Sequence, residues 1–269
     1  MSQNIICLIT GANRGIGLAL TASLLLRPNT TILATIRTRS TSTTSLLSLP
    51  VAQNSKLVIL HLDFSSPSKN AEIFSNFIHN LRDVHGIRYI NTIIANAGTG
   101  TSFESAKDAS LSSLTENWET NTLGPILLYQ TLYPLLTAET EDEASEQARE
   151  KEEKGERRDR KFILISSSLG SIEAMEGGVP SLAYGISKAA ANYFIRKVHF
   201  EEKRIVVLAV HPGWVKTANG QAFADSIGVE SPPMGVEDSA RGVLEQIDRG
   251  TKDTTSGSFL SYDGTVIPW

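Results

Sequence analysis

The 269 residues predict a single α/β domain, a doubly wound parallel sheet of about seven strands with helices on both faces. Three observations predict it. Short runs of Ile, Val and Leu recur along the chain, some almost unbroken, as strands covered on both faces require. Longer helical stretches alternate with them, which implies right-handed crossovers between parallel strands. The first apolar run leads straight into a glycine-rich turn and a helix.

The elements follow in order. "IICLIT" (5–10) is the first strand, and "LALTASLLL" (18–26) the first helix. "TILATIR" (31–37), "KLVILHLD" (56–63), "INTIIANAG" (90–98) and "KFILISSS" (161–168) are the next four strands. "RIVVLAVHPG" (204–213) and "SGSFLSYDG" (256–264) complete the set. "AYGISKAAANYFIRK" (183–197) is Ala-rich and reads as a helix, which puts Tyr184 and Lys188 one turn apart on one face. No repeat and no Pro- or Gly-rich linker divides residues 1–269. The segment Glu139–Lys161 is mostly charged with both signs mixed, and reads as a solvated insertion; the alternative is a docking arm for a partner protein.

Composition excludes several classes. Hydrophobic residues make up 41% and charged residues 20%, with a net charge of −4 and no basic stripe, so nucleic acid is not the expected partner. The single cysteine, Cys7, excludes an internal disulfide framework and fits a reducing compartment as a small core residue. "MSQNIICLIT" lacks the basic leader and long apolar run of a signal peptide, and no apolar stretch approaches the ~20 residues of a membrane span. A cytoplasmic location is expected. His61, His79, His85, His199 and His211 show no ligand spacing, so no metal site is expected, and His211 reads as a structural loop residue.

"TGANRGIG" places Gly11, Gly15 and Gly17 at a strand-to-helix turn, where glycine lets the backbone approach a pyrophosphate drawn to a helix N-terminus. Asn13, Arg14 and Ile16 lie within that loop. After the second strand, "ATIRTRS" has no carboxylate to hold a ribose 2′-hydroxyl but offers Arg37 and, more weakly, Arg39. Forked guanidinium hydrogen bonds suit a 2′-phosphate, so NADP(H) is expected rather than NAD(H).

With these motifs the chain resembles the short-chain dehydrogenase/reductase family, whose Rossmann fold the predicted architecture matches. "TGANRGIG" is similar to its coenzyme loop, and "LDF" puts Asp63 at the family's adenine contact. "ANAG" supplies Asn96, Ala97 and Gly98 at the family's Asn-Asn-Ala-Gly turn, with Ala95 replacing the first asparagine. "NWETNTLGP" holds Asn121, "ILISSSLGS" the serine, "YGISK" the Tyr–Lys pair, and "HPGWVKT" the loop at the nicotinamide. The tail "FLSYDGTVIPW" is similar to a branch that includes C-factor-like and sniffer-like carbonyl reductases and fungal norsolorinic acid ketoreductases.

The resemblance implies a role for each residue. Tyr184 would donate a proton to a substrate carbonyl, acidified by Lys188 and by the oxidised coenzyme; bringing a phenol from a pKa near 10 to near 7 demands roughly 4 kcal/mol. Lys188 would also bind the nicotinamide ribose, and the backbone of Asn121 would hold a water linking Lys188 to solvent. Counting back from Gly170, the family pattern selects Ser167 among Ser166, Ser167 and Ser168, and strand alternation would put the other two on the opposite face. Pro212 and Gly213 would close over the nicotinamide, with Val215 and Thr217 at its carboxamide and the pyrophosphate. Thr217–Gly235 takes the place of the substrate loop, with Trp214, Phe223, Ile227 and Met234 as apolar lining. These implications make the chain an NADPH-dependent reductase of a hydrophobic or aromatic ketone, of the polyketide type in the branch it resembles. The alternatives are a non-redox cyclisation or isomerisation on the same fold, or a non-catalytic NADP(H) sensor. The family pairs its long helices in homodimers or homotetramers, although some members of this branch are monomers.

Overall fold

A computed structural model describes residues 4–68, 71–100, 102–138 and 159–269. Seven parallel strands form one sheet: β1 (Ile5–Ile9), β2 (Thr30–Ile36), β3 (Lys56–His61), β4 (Thr92–Ala95), β5 (Arg160–Ile165), β6 (Ile205–His211) and β7 (Ser258–Ser261), in the order β3-β2-β1-β4-β5-β6-β7. The helices are α1 (Gly15–Leu25), α2 (Thr44–Leu47), α3 (Ala71–His79), α4 (Leu111–Trp118), α5 (Gly124–Leu136), α6 (Leu182–Glu201), α7 (Ala218–Ser226) and α8 (Val236–Arg249).

Alternation along each strand builds two cores. Ile6 and Leu8 of β1 join Phe162, Leu164 and Val207 under α3, α5 and α6. Cys7 and Ile9 face the other way, with Ile163, Leu208 and Val210 under α1 and α8. Every residue of β2 is buried, as expected of an interior parallel strand. The order of the strands reverses between β1 and β4, which leaves a crevice beyond their C-terminal ends, the usual ligand position in such sheets.

Two local features depart from the sequence expectation. The predicted charged segment largely lies outside the described residues, but its last two members belong to β5. Arg160 is 5% exposed; its guanidinium lies 5.1 Å from the Tyr89 ring centre. Lys161 donates to the carbonyls of Ile247 (2.6 Å) and Gly250 (2.7 Å). Long aliphatic stems let both cations enter a strand while their heads find partners. Secondly, β5 ends at Ile165, and Ser168–Gly170 forms a 3₁₀ turn. Strand alternation therefore does not govern the three serines.

Among the described residues no helix is long and apolar enough to cross a membrane, and no three His, Cys, Asp or Glu side chains gather as a metal would require.

Candidate active site

A cavity of about 870 Å³ opens at the crevice. Its walls come from the C-terminal ends of β1, β2, β4, β5 and β6, from α6, and from the segment 212–223. Of the sequence-predicted residues, Gly11, Asn13, Arg14, Gly15, Ile16, Arg37, Asn96, Ala97, Gly98, Ser167, Tyr184, Lys188, Pro212, Gly213, Val215 and Thr217 all line it. Gly17, Asp63 and Asn121 do not, and each stands just behind the wall.

The glycine turn is shaped for close approach. Gly11 and Gly15 have φ of +64° and +53°, where a side chain is strained. A Cβ on Gly17 would lie 2.3 Å from the carbonyl oxygen of Gly11, so that position must stay bare for the turn to close. Arg14 precedes α1 in an extended conformation and no side chain caps that helix end, so its first N–H groups remain available to an anion. Asn96 pins the turn from β4: its Nδ2 donates to the carbonyl of Thr10 at 2.8 Å. Thr10 answers by accepting the N–H groups of Asn96 (3.0 Å) and Ala97 (2.9 Å) at Oγ1. Thr10 is a structural anchor that sequence reasoning missed.

At the far end, Arg37 enters the cavity beside Thr41. Asp63 sits 4.0 Å from Arg37 Nε and accepts the N–H of Ser65 at 2.8 Å. Arg39 is exposed and does not reach the wall.

The reactive side chains converge from α6 and the end of β5. The hydroxyl of Tyr184 is hydrogen-bonded to Ser167, and Lys188 Nζ lies 5.7 Å from the Tyr184 ring centre. Gly170 makes this meeting geometrically feasible, since a Cβ there would lie 2.7 Å from Cβ of Lys188. Ser166 turns away to donate to Asn192 Oδ1 at 2.6 Å, and Ser168 donates to Glu176 Oε1 at 3.1 Å. Of the three, only Ser167 meets the phenol.

Burial dominates the electrostatics. It raises the Tyr184 pKa to about 12, with the Ser167 hydrogen bond pulling the other way. Lys188 is lowered to about 8 by burial and gives one N–H to the carbonyl of Ile165 at 2.9 Å. The resemblance implies acidification by Lys188 together with the oxidised coenzyme; in the protein alone, burial of the phenol is the largest influence on its pKa. His211 is lowered to about 4 by burial and is therefore neutral at physiological pH. Its Nδ1 accepts the N–H of Ser168 at 3.1 Å, which fixes the proton on Nε2 and steadies the serine turn.

Asn121 is fully buried within a π-helical turn, Glu119–Leu123, between α4 and α5. Its Oδ1 accepts the N–H of Thr99 (2.9 Å), while Nδ2 reaches the Thr99 carbonyl (2.9 Å) and Ser187 Oγ (3.0 Å). Ser187 in turn donates to the carbonyl of Tyr184 at 2.7 Å, so Asn121 braces the helix that carries the phenol.

The apolar wall differs in part from the expectation. Trp214 and Phe223 line the cavity, but Ile227 and Met234 do not. Met234 instead lies against Gly213, where a Cβ would meet its sulfur at 2.8 Å. Their place is taken by Phe103, whose ring centre is 5.6 Å from that of Tyr184 and 5.1 Å from that of Phe223. Trp214 continues the row, 5.3 Å from Phe223. Nothing in the local sequence around Phe103 signals this role, because the fold alone brings the loop after β4 across to α7.

The fold and this cleft define a class, and the chain belongs to the short-chain dehydrogenase family, whose model matches residues 5–227. It is similar to the norsolorinic acid ketoreductase of Aspergillus parasiticus, 34% identical over 270 residues that cover 99% of this chain and 92% of that protein. Among solved structures it is similar to an NADPH-bound carbonyl reductase from chicken fatty liver, with TM-score 0.76 and 27% identity over 100% of both chains. The carbonyl reductase Sniffer of D. melanogaster matches with TM-score 0.76 and 28% identity, again over 100% of both chains.

Proposed function

We propose that this chain is an NADP(H)-dependent oxidoreductase that reduces the carbonyl group of a neutral, hydrophobic or aromatic small molecule. The observation that carries the reading is the hydrogen-bonded Ser167–Tyr184 pair in the cavity wall, with the Lys188 ammonium beside it. The ketoreductase and the NADPH-bound carbonyl reductase among the similar proteins support it.

The residues present fit the coenzyme. Gly11, Gly15 and Gly17 leave the cradle that a pyrophosphate needs, at an α1 N-terminus free of side-chain caps. Arg37, with Thr41 beside it in the cavity wall, would hold the 2′-phosphate, and Arg14 would add a second cation. When bound, the dinucleotide supplies the hydride.

The chain's own groups handle the proton. A phenol with a pKa near 12 stays protonated at neutral pH, which is the state a donor must have. Tyr184 Oη gives its proton to the substrate oxygen as negative charge develops there, and Ser167 Oγ holds the same oxygen. Lys188 has two N–H donors left after Ile165, and these would hold the nicotinamide ribose and favour the phenolate that remains. The Asn121 side chain is engaged on both atoms, so its backbone carbonyl is what it offers to a solvent link behind Lys188.

Tyr184→Phe tests this directly. The ring and its contact with Phe103 stay, while the donor goes. NADPH oxidation with an aromatic ketone should fall about 10³-fold with coenzyme affinity retained. Unchanged turnover would remove this phenol from the chemistry.

A further inference from the structure

Among the described residues that line the cavity there is one carboxylate, Glu176. It lies in the loop between the serine turn and α6, and it is exposed to solvent. An exposed glutamate is usually a solvated surface group, but this one is held. Its Oε1 accepts the hydroxyl of Ser168, the residue next to Ser167, at 3.1 Å. The loop that carries it is fastened to the end of the chain. Ser171 Oγ donates to the carbonyl of Pro268 at 2.6 Å, and the N–H groups of Ile172 and Glu173 both reach the backbone oxygen of Trp269, at 3.1 and 2.9 Å. Ala174 N–H closes the turn on Ser171 Oγ at 2.9 Å.

No protein donor reaches Glu176 Oε2 among the described residues, so that oxygen is a positioned acceptor with nothing in the chain to satisfy it. The same cavity holds the row Trp214–Phe223–Phe103–Tyr184, successive ring centres 5.3, 5.1 and 5.6 Å apart. Aromatic walls suit a flat ring system. A carboxylate in the wall of the same cavity suits a hydrogen-bond donor on that ring system and repels a second carboxylate. An ammonium donor is the poorer match, because Lys188 and Lys216 line the same space.

We propose that Glu176 is a specificity-determining residue that accepts a hydrogen bond from a hydroxyl group on the ring system of an aromatic ketone. The chain then prefers hydroxylated aryl ketones to their methyl ethers, which keep the shape but lose the donor. This rests on the ketoreductase reading above, and it adds the substrate class that the site selects.

The test compares hydroxytetralones, with the hydroxyl at several ring positions, against the matching methoxytetralones. Binding to the NADP⁺-loaded protein is followed by quenching of tryptophan fluorescence, Trp214 being in the cavity wall. The native chain should bind at least one hydroxytetralone about tenfold more tightly than its ether. In Glu176→Gln, and equally in Glu176→Ala, that ratio should fall to about one. A native chain without preference, or variants that keep it, overturns the assignment. NADPH oxidation is read in parallel. Preferential binding without turnover of any ketone would defeat the ketoreductase reading and leave Glu176 as the acceptor. Turnover of both members of each pair with no binding preference would do the reverse.

Discussion

Lys188 carries a cost that its position cannot avoid. Burial lowers its pKa from 10.5 to about 8, so at neutral pH the fold holds an ammonium that water would solvate better. The unfolded chain binds that proton more tightly between pH 8 and 10.5. Stability therefore rises with pH through this window, and below pH 8 the full penalty stands. Lys188→Met should raise stability at pH 7 by about 1–2 kcal/mol, less than the shift alone implies because the Ile165 carbonyl loses its donor. Thermal melts at pH 7 and pH 10 check this: Tm should rise by about 2–6 °C at the lower pH, with a smaller gain at the higher. Reductase activity should fall at least about 100-fold in the same variant. A lower Tm at pH 7 would mean that the ammonium stabilises the fold. At this scale the sequence was legible where spacing is fixed by the chain itself. Tyr184 and Lys188 share a helix turn, and the glycines punctuate one loop. It was not legible where the partner comes from afar: Phe103 and Glu176 reach the cavity through loops whose paths no local pattern encodes. Counting back from Gly170 pointed to Ser167, but the strand alternation expected to set it apart does not apply, since β5 had already ended two residues before it.

Element boundaries depend on what the sheet offers to each side chain. The seven strands were recognisable because parallel strands between two helical layers need apolar residues on both faces. The start of β5 was hidden because Arg160 and Lys161 look like the end of a charged run, whereas aromatic and carbonyl partners draw them into the ladder. The segment after β7 was visible only as a family-like tail, yet it holds the loop that carries Glu176. The Trp269 ring stacks on Phe259 at 27° with centres 5.6 Å apart, and the Arg196 guanidinium lies 5.9 Å from its centre. Removing that ring loosens the backbone oxygen that holds Ile172 and Glu173. Trp269→Ala should raise KM for the ketone about three- to tenfold, with kcat and the KM for NADPH within about twofold of native, since the loop borders one half of the cavity only. Steady-state kinetics with each substrate varied in turn separates these outcomes. An equal rise in both KM values would point to general loosening of the fold.

For the whole molecule, the net charge of −4 conceals a local bias. Among the described residues, the coenzyme end of the cavity presents Arg14 and Arg37 with no carboxylate in its wall, and the one acidic lining residue, Glu176, lies beside the serine turn instead. A dinucleotide carrying an extra phosphate should therefore seat in one direction, with that phosphate at Arg37 and its nicotinamide toward Tyr184. Asp63, 4.0 Å from Arg37 Nε, orients the guanidinium without a large energetic claim on it, because the pair is partly solvated. A ligand that binds only the folded state stabilises it by about 2.7 kcal/mol at one hundred times its dissociation constant. In a chain of this size that corresponds to roughly 5–10 °C in Tm. NADP⁺ should thus raise Tm by several degrees at concentrations where NAD⁺ has little effect. Arg37→Asp should reverse the order, because a carboxylate there repels the 2′-phosphate and can accept from a ribose 2′-hydroxyl. Thermal shifts measured with both dinucleotides on both proteins decide it. If NAD⁺ stabilised the native chain as well as NADP⁺, the cationic end would be a feature of solubility, and coenzyme choice would have to come from elsewhere in the cleft.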